Sequence, residues 1–215
     1  MKNKEKILQA SKKLFNQKGF VNVRLQHISD DTIISLGNIA YHYPNKEAIV
    51  TALLERWEER VKEVLIEYRN TPIFAHVDRI FISIESLQIE FGFFFTDLVE
   101  IKRSYPNLFL KIEEFLGWQV FLFGEIIRFN ISRGAMNPLE NEEISFLAEW
   151  VIFQIHSFPN QRIMGFRKHS ISGSDSPLAT HIWALLKPYL SDSGKQELAT
   201  HISQTIKMTS KLPNS

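Results

Sequence analysis

Residues 35–46 read Ser-Leu-Gly-Asn-Ile-Ala-Tyr-His-Tyr-Pro-Asn-Lys and concentrate hydrogen-bonding groups in a short stretch. Groups of this kind suit contact with an anionic polymer. Tyr41, His42 and Tyr43 carry polar tips on apolar bodies, and Lys46 supplies a point charge, a combination fitted to anchoring phosphates. Leu36, Asn38 and Ser35 are expected to face base edges, where the Asn38 carboxamide can take adenine through two hydrogen bonds. Gly37 inside a helix costs roughly 1 kcal/mol against Ala, a cost that close approach of the backbone to DNA or to a packing partner would justify.

These side chains need elements that present them. Ile7, Ala10, Ser11, Leu14 and Phe15 recur at three- and four-residue spacing and predict a first amphipathic helix, stopped by Lys18-Gly19. A second short helix is predicted from about Arg24 to Asp31, with Leu25 and Ile28 inward. A third begins where Ser35 caps the N–H groups of Leu36 to Asn38. Two short helices so joined form a helix-turn-helix. Its second helix enters the major groove of DNA by its amino-terminal end, while hydroxyls and N–H groups grip the phosphates. Past Pro44-Asn45 a long helix is predicted from about Lys46 to Arg69, with Ile49, Leu53, Trp57 and Val61 on one face.

Ile7, Leu8, Ala10, Leu14, Phe15, Gly19, Phe20, Ile28, Ser35, Gly37, Asn38, Ile39, Tyr41, His42, Tyr43, Lys46, Glu47 and Ile49, in order and without gaps, resemble the tetracycline-repressor (TetR) family of one-component regulators. The resemblance covers residues 5–55 in detail and the remainder in architecture. It implies double-stranded DNA as partner, a palindromic operator read by the paired heads of a homodimer, and a small-molecule effector bound in the body. It also implies that the long helix links head to body and shifts when ligand binds. The chain departs from the family's pattern in places. Val23-Arg24 stands where Thr-Thr is usual, which makes Arg24 the substitute phosphate contact. The turn usually reads Ala-Gly-Val-Ser; here it is Thr32-Ile33-Ile34-Ser35, which puts a β-branched residue where glycine's backbone freedom is often needed. Ala40 replaces a common aromatic. These changes bear on operator sequence and affinity more than on fold.

Charge is distributed unevenly. The whole chain carries +1, whereas the residues up to Lys46 carry +5. That places the phosphate-attracting potential at the amino-terminal end, where counterion release would supply sequence-independent affinity. Taken alone, a lysine-rich first helix is equally a solvated face. The expected organisation is all-α: a three-helix DNA-binding domain over residues 1–46, then a larger helical effector-binding and dimerisation domain over 47–215. No run of about 18 apolar residues and no charged-then-apolar leader occurs, so no membrane association is expected. The absence of cysteine excludes disulfides and thiolate sites and is compatible with a cytoplasmic location.

The body is predicted as helices at roughly 73–91, 93–103, 107–133, 140–157, 175–190 and 192–209. Breaks are expected at Gly92, Pro106, 134–138, Pro159 and 173–177, with a long mobile loop over 160–176. Its chemistry is aromatic, since Phe supplies 17 of 215 residues. These rings either fill a core or wall an apolar pocket between helices. Phe94, Trp118 and Phe121 are the candidate wall, with His156, Glu90, Asp97 or Gln119 as polar contacts; a hydrogen-bonded core histidine is the alternative reading of His156. A pocket so poor in charge favours a flat or lipophilic effector and can be collapsed in the free protein. No histidine stands at a metal-ligand spacing, and no phosphate loop or nucleophile elbow occurs, so no catalytic site, metal or cofactor is expected. The apolar faces of 140–157 (Ile144, Leu147, Ala148, Val151, Ile152, Ile155) and 175–190 (Leu178, Ile182, Leu185, Leu186) either bury within the protomer or form a two-fold interface. The sequence thus points to a repressor released by a largely apolar ligand. The alternative is a helical ligand-binding protein whose helix-turn-helix has lost specific DNA affinity.

Overall fold

The computed structural model describes residues 2–67, 71–165 and 176–209, with side chains described throughout these except at 67 and 203–209. The helices are α1 (Asn3–Lys18), α2 (Leu25–Thr32), α3 (Leu36–His42), α4 (Lys46–Glu67), α5 (Phe74–Glu90), α6 (Phe93–Thr96), α7 (Leu98–Ser104), α8 (Pro106–Ser132), α9 (Asn141–Ile163), α10 (Pro177–Leu186) and α11 (Asp192–Thr209), with a single 3-10 turn at Lys187–Tyr189. Among the described residues there is no strand, only an isolated bridge between Met136 and Leu190. The all-α expectation holds.

One compact unit consists of Met1–Lys62 with Leu87–Phe115. The face predicted for α1 is the one buried: Ile7, Leu8, Leu14 and Phe15 are inside, and Gly19, at φ 78°, closes the helix. The rings of Phe15, Phe20 and Phe93 meet at 5.1–5.7 Å, and Trp57 of α4 stacks on Phe94 while meeting Phe95 and Phe115 edge-on. Residues 47–62 and 87–115 thus belong to the same unit as the three amino-terminal helices.

The other unit consists of Glu63–Ser86 with Leu116–Ser215. Asp78 is buried and accepts the Trp183 indole N–H at 2.8 Å, with His201 Nε2 at 3.0 Å from its second oxygen. Glu85 takes the Ser176 hydroxyl and the Leu178 N–H, and Ser176 in turn accepts from Ala179, so the start of α10 is capped by two side chains. Arg133 grips Glu197 through two guanidinium nitrogens at 2.6 and 3.0 Å. Gly194, in the first turn of α11, lies so close to the Ala135 carbonyl that a Cβ there would sit 1.9 Å from the oxygen.

Several predicted boundaries move. The helix expected over 93–103 is two, α6 and α7, separated at Asp97, whose backbone (φ −110°, ψ 17°) leaves the helical region. The helix expected to end at 157 continues through Pro159 to Ile163. The missing Pro159 N–H falls in the last turns, where the buried Phe158 and a bond from Gln161 to Ser157 at 2.9 Å hold the chain. Residues 160–163 of the expected loop are therefore helical, and residues 166–175 lie outside the described residues.

Candidate nucleic-acid interface

Ser35 caps α3, its hydroxyl accepting the Asn38 N–H at 3.3 Å. Only Ile39 of α3 is fully buried, so the short helix is fastened by one side chain and leaves Ser35, Leu36, Gly37, Asn38, Ala40 and Tyr41 exposed. Tyr41 is 84% accessible. A Cβ placed on Gly37 would meet nothing within 4 Å, which removes the packing partner as a reason for that glycine and leaves close approach from outside. Arg24 precedes α2 with its side chain exposed, while its backbone N–H donates to His27 Nδ1 at 3.1 Å. His42 is half-buried beside the Tyr41 ring.

The turn between α2 and α3 confirms the backbone demand read from the sequence. Ile33 has φ 57° and ψ 34° and is the one non-glycine residue with positive φ among the described residues. Its side chain is 94% exposed. The turn is held instead by Ser29, whose hydroxyl donates to the Ile34 carbonyl, and by Thr32, whose hydroxyl donates to the Ile28 carbonyl, each at 2.7 Å.

The structure does not bring two of the expected phosphate contacts to the exposed face. Tyr43 is 4% accessible, and burial without a hydrogen-bond partner raises its hydroxyl above the usual tyrosine range. It follows α3 with extended backbone (φ −141°, ψ 100°), which turns its ring inward. Lys46 donates to the Phe20 carbonyl and lies 4.0 Å from the centroid of the Phe20 ring. Desolvation lowers its ammonium to about 8, against the opposing attraction of Asp97. The Asp97 carboxylate takes the N–H of the same Phe20, so one residue at the α1–α2 corner is held from both α4 and the α6–α7 break.

The +5 of the amino-terminal residues is correspondingly reduced in effect. Lys12 pairs with Glu90 and Lys13 with Asp31, whereas Lys2, Lys4, Lys6, Lys18 and Arg24 are exposed. Arg56 holds Glu5 through both guanidinium nitrogens, and this hydrogen bonding keeps the Glu5 carboxyl at about 2.

The residues expected to wall a pocket fall in both units. Phe94 is stacked on Trp57 within the first unit, Glu90 and Asp97 are engaged there with Lys12 and Phe20, and Phe121 is 66% exposed. Trp118 is half-buried. In the second unit an apolar crevice with about 20 Å³ of free space is lined by Leu65, Ile80, Phe81, Ile84, Leu122, Phe123, Ile126, Ile152, Ile155 and Gln119. His156 lies 3.3 Å from Gln119 Oε1 through its Nε2. Desolvation depresses the His156 imidazole to about 4. Among the described residues no helix is long and apolar enough to cross a membrane, and no cluster of His, Asp and Glu is arranged to hold a metal.

A family model described as "Bacterial regulatory proteins, tetR family" matches residues 7–53, and one described as "Bacterial transcriptional repressor" matches residues 56–198. Among solved structures, a TetR-family transcriptional regulator from Marinobacter aquaeolei VT8 superposes with a TM-score of 0.82 at 24% identity, covering 94% of this chain and 98% of that one. The TetR family protein CprB from S. coelicolor A3(2) gives 0.72 at 12% identity, covering 95% and 96%. A gamma-butyrolactone receptor described as ArpA-like gives 0.69 at 10% identity over the same shares. No curated protein matches.

Proposed function

Because the chain belongs to the TetR family of bacterial transcription regulators, we propose that it is a repressor whose head reads a palindromic DNA operator and lets go when a small, largely apolar ligand binds in the body. The observation that carries this reading is the amino-terminal turn of α3. Ser35, Leu36, Gly37 and Asn38 are all exposed there, and nothing in the fold accounts for the helix-interior glycine. On this reading Leu36 and Asn38 face base edges, and Tyr41, Arg24 and the exposed amino-terminal lysines hold phosphates. Tyr43 and Lys46 belong to the head's internal structure. Release follows if the ligand binds one conformation better and that conformation has lower affinity for the operator.

The protein acts as a homodimer, consistent with a palindromic site read one DNA turn apart, about 34–36 Å. The apolar residues first expected at the interface, Ile144, Leu147, Ala148, Val151, Ile152 and Ile155 with Leu178, Ile182 and Leu186, are buried within the protomer, and Leu185 is half-buried. The opposite face of α9 instead exposes Phe146, Trp150 and Phe153, their rings edge-on at 5.6–5.9 Å, and this ladder is the surface proposed to meet the second copy.

The test is a gel-shift series across salt concentrations with DNA from the region upstream of the protein's own gene. Specific retention that weakens with salt, and that falls on Asn38→Ala or Tyr41→Ala, is the expected result. Binding no tighter than to random DNA would instead favour the second reading, a helical ligand-binding protein with a degenerate head. The strained Ile33 turn is the observation on that side.

A further inference from the structure

Gln119 is 6% exposed, and its Nε2 has no hydrogen-bond partner. Among the described residues it is the one polar group in the wall of the crevice between Leu65 and Ile155, where the other described lining side chains are aliphatic or phenyl. The orientation of its amide is set by His156: Nε2 of the imidazole lies 3.3 Å from Gln119 Oε1 and donates to it in the Nε2–H tautomer. The carbonyl end is thereby occupied, and the buried NH₂ end is left without an acceptor.

We infer that the Gln119 amide is the polar contact of the effector site, and that the effector is an uncharged, largely apolar molecule with a hydrogen-bond acceptor such as a carbonyl oxygen. This rests on the ligand-released reading above. A buried donor without an acceptor destabilises the free protein, and the same group gains a hydrogen bond when an acceptor arrives in a water-poor site. Water is a poor occupant of the crevice, because the space holds about one molecule and offers too few polar partners to retain it. A charged effector is disfavoured because no ionised side chain among the described residues lines the wall and His156 is neutral at physiological pH. The small free volume requires that apolar side chains of the wall change rotamer as the ligand enters, so that occupancy itself alters packing between α5, α8 and α9.

The experiment compares 1-tetralone with tetralin, the same ring skeleton with and without a carbonyl, on the full-length protein and on Gln119→Leu. Binding is followed by isothermal calorimetry and by thermal melting. The wild type is expected to bind the ketone at least ten-fold more tightly than the hydrocarbon. Gln119→Leu is expected to bind both equally and, without ligand, to melt at a higher temperature than the wild type. Failure of 1-tetralone to bind the wild type, equal binding of the two compounds by the wild type, or a ketone preference that survives in Gln119→Leu would each overturn the assignment. So would a lower melting temperature for the variant, the mark of a merely structural glutamine. The upstream-DNA gel-shift, run with and without 1-tetralone, bears on the repressor reading separately: a ketone that binds through Gln119 and leaves DNA retention unchanged refutes release by ligand and leaves the Gln119 site standing.

Discussion

Ile33 carries a left-handed backbone that disfavours an L-residue by roughly 1–2 kcal/mol, and its exposed side chain recovers nothing from packing. Ile33→Gly should therefore raise stability by about 1 kcal/mol after glycine's greater unfolded-state entropy is set against it, measurable as a shift in the chemical unfolding midpoint. If DNA affinity falls at the same time, the isoleucine touches the operator; an apolar side chain at that position suits a thymine methyl group. Gly37→Ala separates fold from reading more sharply. With open space around the new methyl, the variant should be as stable as the wild type or more so, by up to about 1 kcal/mol, while losing operator affinity in the gel-shift. Unchanged affinity would remove close approach as the reason for Gly37. The exposure of Ser35, Leu36 and Asn38 was legible from sequence because the second helix of a helix-turn-helix meets DNA by its amino-terminal end, where these residues stand. The fates of Tyr43 and Lys46 were not: both stand just outside the short helix, where spacing no longer fixes which way a side chain turns.

Elements were legible where periodicity or a cap marked them, as in α1, α3 and α4. The division at Asp97 was hidden because no Gly or Pro marks it; the helix gives way there where the Asp97 carboxylate takes the Phe20 N–H. Pro159 misled in the opposite direction, since packing of Phe158 outweighs a proline placed near the helix end. The corner where α1, α4 and the α6–α7 break converge has a pH signature. The Lys46 ammonium has a folded pKa of about 8, below its ordinary 10.5, so between these values the unfolded chain binds more protons than the native one. Stability should therefore rise as pH increases from about 8 toward 10, and Lys46→Met should flatten that rise in urea unfolding curves collected at pH 7.5 and 9.5. On the acid side His156, depressed to about 4 from 6.5, makes the native state lose stability as pH falls through that window; Glu5, held at about 2 from 4.5, extends the loss below pH 4.5. His156→Gln should remove the part between pH 6.5 and 4.5 and leave the lower part intact.

At the scale of the whole molecule, the aromatic richness seen in the sequence proved to serve several purposes. Phe93, Phe94 and Phe95 fill the first unit, Phe74, Phe81 and Trp183 the second, and Phe146, Trp150 and Phe153 stay outside. Composition cannot sort these, because the same ring is equally suited to a core, a pocket or an interface; only the register of α9 decides that Val151 and Ile155 go in and Trp150 and Phe153 go out. Trp150→Glu should convert a dimer to a monomer in light scattering at micromolar concentration with little change in melting of the protomer. A wild-type protein that is already monomeric there would refute the interface. The discontinuity of the first unit has a practical consequence for exchanging parts between regulators. A head cut after residue 46 and joined to another body would leave behind Glu90, Phe93 and Asp97, and with them the partners of Lys12, Asn16, Phe15 and Phe20. A working chimera of this protein has to carry residues 87–115 along with the amino-terminal segment, two stretches of chain transplanted as one piece.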